Sequence, residues 1–271
     1  MILIDGNPSD TLPVSDRGLQ YGDGLFETIA VVDGRPRLWP AHMARLQDGC
    51  ERLAIPVPDP GQLFDEALQL CAAGGRGVLK LMVTRGSGGR GYRPPQPANP
   101  RRILAFHPWP DYPAEWWEQG VHLRYCDTRL GRNRALAGIK HLNRLEQVLA
   151  RAEWDDPAVT EGIMLDDQER VIEGTMSNLF AVQGGTLKTP PLDECGVAGV
   201  MRAHVITLAQ RLGIPCAERS LTRDDLTAAD ELFLTNALLR ILPVARLEDV
   251  SYSRAPLTRR LMQALVEEGE A

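Results

Sequence analysis

The chain contains no run of eighteen or more apolar residues, so it offers no conventional membrane-spanning helix. It also lacks a basic excess. Thirty Lys and Arg stand against 36 Asp and Glu, for a formal net charge of -6. A nucleic-acid binder working through a general positive field is therefore not expected, although local arginine clusters for small anions remain open. Cysteine is scarce and odd in number, five in 271 residues, and no pair is spaced C-x-x-C. Reduced, buried thiols are expected rather than a disulfide framework. The five histidines are scattered without metal-ligand spacing, and no metal is expected. The opening residues MILIDGNPSD show no basic stretch followed by an apolar one, which sets the expectation of a cytoplasmic protein. Internal repeats and low-complexity tails are lacking too.

What is present is an ordinary globular composition, 44% hydrophobic and 24% charged. A chain this long buries roughly three quarters of its unfolded surface and needs no staples. Length allows one or two domains. Strands are predicted at Met1–Asp5, Leu25–Val32, Val78–Thr84 and Arg101–Phe106, and helices at Pro40–Leu53 and Pro60–Ala73. The Gly- and Pro-rich stretch GSGGRGYRPPQPANP reads as a long functional loop. The run HPWPDYPAEWWEQG marks a boundary, which gives a small domain over 1–107, a linker over 108–120 and a larger domain over 121–271. Further on, strands are predicted at Val121–Asp127, Gly162–Leu165, Val171–Ile172, Asn178–Gln183 and Asp230–Thr235. Helices are predicted at His141–Trp154, Val200–Leu212 and Pro256–Glu268. Strands and helices mix without regular alternation, which predicts an α+β fold with mostly antiparallel sheet.

Four features carry chemistry. Lys140 sits in LAGIKHLNRLEQVLA, after an apolar segment and before an amphipathic stripe of Leu142, Leu145, Val148, Leu149 and Ala152. A lysine in that position is usually solvated, but Ala137, Gly138 and Ile139 would desolvate its amine and favour the neutral nucleophile. Glu173, in RVIEGTMSNLF, lies at a strand end, where a carboxylate can face a pocket. Arg45 shares a helix face with His42 and Leu46, so it points inward and needs an anion; phosphate suits its fork of donors. Gly196 and Gly199 precede a helix whose first amides form an anion site. In GSGGRGY the glycine spacing does not fit a nucleotide loop. Arg85 and Arg90 there are equally readable as carboxylate ligands or as a solvated loop.

These segments together resemble the fold-type IV pyridoxal-phosphate enzymes, the family of branched-chain and D-amino-acid aminotransferases and of a related lyase. The resemblance rests on SDRGLQYGDGLFET (15–28), AHMARL (41–46), GIKHLNRLEQVLA (138–150), EGTMSNLF (173–180) and GVAGVMR (196–202), in that order. It implies a small N-terminal α+β domain, a larger C-terminal domain with a barrel-like sheet, pyridoxal 5'-phosphate between them, and a homodimer. By position, Lys140 matches the Schiff-base lysine, Glu173 the partner of the pyridine nitrogen, and Arg45 a phosphate ligand. Further phosphate contacts fall at Val200, Met201 and Asn236, where the aminotransferases usually carry threonines. A ring-flanking tyrosine of some aminotransferases is replaced by Leu145. Arg90 and Tyr92 match carboxylate ligands that reach in from a neighbouring subunit, and Arg85 is a further candidate.

GSGGRGY, GIKHLNRLEQVL and Thr28 resemble the lyase branch, which converts 4-amino-4-deoxychorismate to 4-aminobenzoate and pyruvate for folate synthesis. The resemblance thus implies that small-molecule substrate, with Thr28 acting on the leaving enolpyruvyl group. The alternative is an aminotransferase acting on D- or branched-chain amino acids. A cofactor-binding or interaction module without chemistry is a third reading, opposed by the joint presence of Lys140, Glu173 and Arg45.

Overall fold

The β-branched and apolar runs of the first hundred residues pair into one antiparallel sheet. The computed structural model describes residues 1–72 and 74–269. Strands β1 (Ile2–Ile4), β2 (Asn7–Pro8), β3 (Gly24–Val32), β4 (Arg35–Pro36), β5 (Gly77–Thr84) and β6 (Arg101–Pro108) lie in the order β2-β1-β6-β5-β3-β4. β3 and β5 run in register from Gly24–Thr84 to Val31–Gly77. Alternation along β3 puts buried Leu25, Glu27 and Ile29 on one face and half-buried Phe26 and Thr28 on the other.

Three helices accompany this sheet: α1 (Arg17–Tyr21), α2 (Trp39–Arg52) and α3 (Pro60–Cys71). α2 opens with Pro40 in its first turn and packs on the Leu25 face of β3. A side chain at Gly49 would meet Leu25 at 2.7 Å, so glycine lets the helix approach. The helix expected over Pro60–Ala73 ends at Cys71; Ala73 lies outside the described residues, as do Glu270 and Ala271 of the expected second domain.

The second sheet has nine strands: β7 (Val121–Leu130), β8 (Glu161–Asp166), β9 (Val171–Gly174), β10 (Asn178–Gln183), β11 (Thr186–Thr189), β12 (Cys216–Glu218), β13 (Glu231–Asn236), β14 (Arg240–Leu247) and β15 (Val250–Ser251). Their order is β12-β11-β10-β13-β14-β7-β8-β9, with β15 on β14, and the path curls as a half-barrel. Its apolar core includes Leu165, Leu179, Leu232, Leu242 and Val244. Phe180 and Phe233, opposite each other in register, stack with ring centroids 4.9 Å apart. Helices α4 (Glu115–Gln119), α5 (Leu145–Arg151), α6 (Val200–Arg211), α7 (Arg223–Thr227) and α8 (Pro256–Glu267) complete this part.

The chain forms two compact units. One is Met1–Asp111 together with Ile139–Asn143, and the other is Tyr112–Gly138 with Arg144 onward. The return of 139–143 to the first unit has no counterpart in the domains expected at 1–107 and 121–271. Its cause is backbone pairing, which leaves no mark in composition. Phe26 donates its N–H to the Lys140 carbonyl at 2.9 Å, Leu142 donates to Gly24 at 3.0 Å, and Leu25 bridges His141.

The same pairing corrects the helix expected over His141–Trp154. Residues 140–142 spend their backbone groups on β3, and α5 begins only at Leu145. Much of the apolar stripe lies open in this chain: Leu145 is 76% exposed, and Val148 and Leu149 are each 60% exposed, while Ala150 is fully buried.

Candidate functional site

In the first unit the chemistry gathers around β3. Phe26 lies under two lysine amines, with Lys80 Nζ 3.7 Å and Lys140 Nζ 4.5 Å from its ring centroid. Lys80 sits opposite Thr28 in the β3–β5 register, so Phe26, Thr28 and Lys80 share one face. Sequence reasoning missed Lys80; the period-2 pattern of GVLKLMVT, in which it breaks an apolar run, was the available signal.

Across the sheet, on the α2 side, Glu27 is almost completely buried. His42 Nδ1 lies 2.6 Å from Glu27 Oε2, and Arg45 donates Nε to Oε1 at 2.8 Å and Nη2 to Oε2. Burial alone would raise the Glu27 pKa, but the Arg45 charge and the bonds from His42 and Arg45 bring it down to about 2. Burial lowers the pKa of His42, and the charges of Arg45 and Lys140 act in the same direction against the pull of Glu27. The inward-facing arginine therefore has an anion within its own chain.

The GSGGRGY loop presents Arg90 and Tyr92 outward; Tyr92 is 85% exposed. Arg85 differs from the substrate ligand expected of it. It is buried, and its guanidinium donates to both oxygens of Asp23 and to the carbonyls of Leu53 and Ala54. With four donor hydrogens committed, it braces the loop base.

In the second unit Glu173 is the next-to-last residue of β9, buried, and its Oε2 accepts from Asn178 Nδ2 at 3.2 Å and from the Val197 amide at 2.9 Å. Asn178 is a second residue that sequence reasoning passed over, although EGTMSNLF contains it. Its place depends on glycine: a Cβ at Gly199 would fall 1.9 Å from Asn178 Oδ1. Gly196, at φ 81°, lies so close to Glu173 that a Cβ there would meet its Cδ at 3.3 Å. Gly199 is also the N-cap of α6, and among the described residues no side chain caps that helix. Its first-turn amides, those of Val200 and Met201, thus face an anion-ready terminus.

The turn after Glu173 is built on Glu161. This carboxylate is buried and accepts from the amides of Gly162, Thr175 and Met176 and from the hydroxyls of Thr175 and Ser177. Burial raises its pKa despite those bonds. Asn236 joins the same turn through Nδ2 to Met176 O at 3.3 Å, while its Oδ1 accepts from Leu238 and Leu239. Its side chain therefore shapes backbone. Beside Asn178 in register, Thr235 keeps a buried hydroxyl with no hydrogen-bond partner among the described residues.

Residues 24–247 match the family described as amino-transferase class IV. An aminodeoxychorismate lyase of Vibrio harveyi is 38% identical over 265 residues, covering 96% of this chain and 98% of its own. The solved structure of 4-amino-4-deoxychorismate lyase from Pseudomonas aeruginosa matches with a TM-score of 0.95 and 54% identity, covering 98% of each chain. The branched-chain-amino-acid aminotransferase of Escherichia coli K12 is 31% identical over 93% of this chain and 85% of its own.

Proposed function

The chain belongs to the class IV aminotransferase family, and from that premise we propose that it is a pyridoxal-phosphate-dependent lyase that splits 4-amino-4-deoxychorismate into 4-aminobenzoate and pyruvate. The observation that carries this reading is on β3, where the Phe26 ring under the Lys140 amine shares its face with the Thr28 hydroxyl. An amine and a hydroxyl on one strand face suit proton removal at one carbon and proton delivery to a leaving group.

The residues present fit pyridoxal phosphate. An uncapped helix N-terminus suits its phosphate, and Glu173, held by Asn178 and Val197, suits a protonated ring nitrogen. When bound, the cofactor supplies an electron sink. Lys140 would hold it covalently, and its amine would take the proton from the substrate carbon bearing nitrogen. The amides of Val200 and Met201, with Arg45 braced by Glu27, bind the phosphate. Thr28 delivers a proton to the departing enolpyruvyl side. Arg90 and Tyr92 orient a substrate carboxylate from the second copy of a homodimer. The exposed Leu145, Val148 and Leu149 of α5 are the apolar surface that a second copy would cover.

The test is product release by purified, cofactor-loaded protein. We expect 4-aminobenzoate and pyruvate in equal amounts from 4-amino-4-deoxychorismate, with no keto acid added. Lys140→Ala should lose both turnover and the yellow absorbance of lysine-bound cofactor. Amino transfer that depends on a keto acid, with no 4-aminobenzoate formed, would replace this reading by that of a D- or branched-chain aminotransferase.

A further inference from the structure

The SDRGLQYGDG segment contains a buried arginine that the proposed reaction does not use. Arg17 is 3% exposed. Its Nη1 donates to the Gly91 carbonyl and its Nη2 to the Tyr92 carbonyl, each at 3.0 Å. Its Nε donates to Asp23 Oδ2 at 2.8 Å, and Asp23 is gripped in turn by Arg85. Burial would raise the Asp23 pKa, yet the bonds and charges of Arg85 and Arg17 lower it, so it stays a carboxylate between two guanidiniums. The Arg17 guanidinium also lies 4.8 Å from the Tyr21 ring centroid, and Tyr21 meets Tyr92 edge-on at 5.5 Å.

The start of the loop is fixed on the same turn. Arg17 donates its amide to Gly86 O, Gly88 donates to Ser15 O, and Ser15 and Ser87 join through their hydroxyls. Asp16 is fully buried. It accepts from the Gly18 amide and from Thr84 Oγ1, which ties the turn to the end of β5. Glycines make this close fit possible: a side chain at Gly88 would meet Arg17 Cδ at 3.0 Å.

We infer that Arg17 is a positioning residue that fixes the GSGGRGY loop, and with it Arg90 and Tyr92, in the conformation that receives a substrate carboxylate. A planar fork that spans two successive carbonyls sets the direction of the peptide between them, which a lysine ammonium cannot do. Arg90 itself is exposed; its placement comes from the backbone that Arg17 holds. The specificity assigned to the loop thus depends on a buried residue more than seventy positions earlier. The inference rests on the proposed role of Arg90, and its test separates the two.

The test uses cofactor-loaded Arg17→Lys and Arg17→Met, read for trypsin cleavage at Arg90–Gly91 and for KM and kcat separately. Arg90→Ala is the control. Arg17→Lys keeps a charge beside Asp23, so it serves if Arg17→Met does not fold. We expect faster cleavage at Arg90–Gly91 and a KM raised about ten- to a hundredfold, with kcat and cofactor absorbance near those of the unaltered protein. Cleavage and KM both unchanged would overturn the clamp. Faster cleavage with unchanged KM would overturn the positioning role. If Arg90→Ala then also leaves KM unchanged, it is the assignment of Arg90 that has failed; if it raises KM, that assignment stands and only the positioning role of Arg17 is lost.

Discussion

Arg45 grips Glu27 through both carboxylate oxygens, on the face of β3 opposite Thr28. Removing one partner of a buried pair leaves the other charge uncompensated, so Glu27→Gln should cost about 3–5 kcal/mol. The pH dependence has a definite sign. Glu27 titrates near 2 in the fold against an ordinary 4.5, so its contribution is complete above 4.5 and is lost as pH falls toward about 2. His42 is also lowered from its ordinary 6.5, so it too resists protonation and adds to the loss on acidification below 6.5. Thermal melts across pH should show a steep acid limb, flattened below pH 4.5 in Glu27→Gln. An unaltered limb would remove Glu27 as its source.

Gly199→Ala should impair cofactor retention more than Asn178→Ala does. The new methyl would stand 1.9 Å from Asn178 Oδ1, and the displaced amide would release Glu173 and Val197. Overpacking of this kind costs roughly 1–3 kcal/mol. Removing the obstructing amide as well, in Gly199→Ala/Asn178→Ala, should restore part of the affinity, read by titrating apoprotein with pyridoxal phosphate. A double variant worse than either single would place the clash elsewhere.

Arg85 and Arg90 should separate cleanly. Arg85→Met leaves Asp23 with one partner fewer and two carbonyls unmatched, and should lower stability by about 3 kcal/mol or more. Arg90→Ala, at an exposed position, should stay within about 0.5 kcal/mol of the unaltered protein while raising KM. A KM effect of Arg85→Met without loss of stability would restore Arg85 as a substrate ligand.

Leu145→Asp/Leu149→Asp should yield a folded monomer, since neither side chain is buried in the chain itself. Sedimentation at micromolar concentration is expected to show a dimer for the unaltered protein and half that mass for the variant. Equal masses would move the interface off α5.

Much of the fold was legible because its signals are local. β3 and β5 stand out as apolar, β-branched runs and β10 as a short apolar one, and α2 and α3 announce themselves by proline in the first turn. What escaped was set by distant partners. Lys140 looks like a lysine leading into a helix, yet its carbonyl pairs with Phe26, more than a hundred residues earlier, and the helix starts late. The helix face of Arg45 calls for an anion, but the sequence could not say that Glu27 would be one. Arg85 looked like part of a solvated loop because Asp23, Leu53 and Ala54 are far away along the chain. β14 was not anticipated, since Pro243 interrupts its run; paired between β13 and β7, it is a strand nonetheless.

The membership of Ile139–Asn143 in the first unit bears on how such genes can be recombined. A single crossover near residue 111 between this chain and a relative would bring the lysine strip from one parent to a β3 from the other. The Gly24–Leu142 and Phe26–Lys140 backbone pairs are indifferent to side chains and would tolerate that exchange, but the packing of Leu142 against Gly24 would not be guaranteed. Hybrids that keep both parents' units whole need three exchange points, two of them flanking the five residues that carry Lys140.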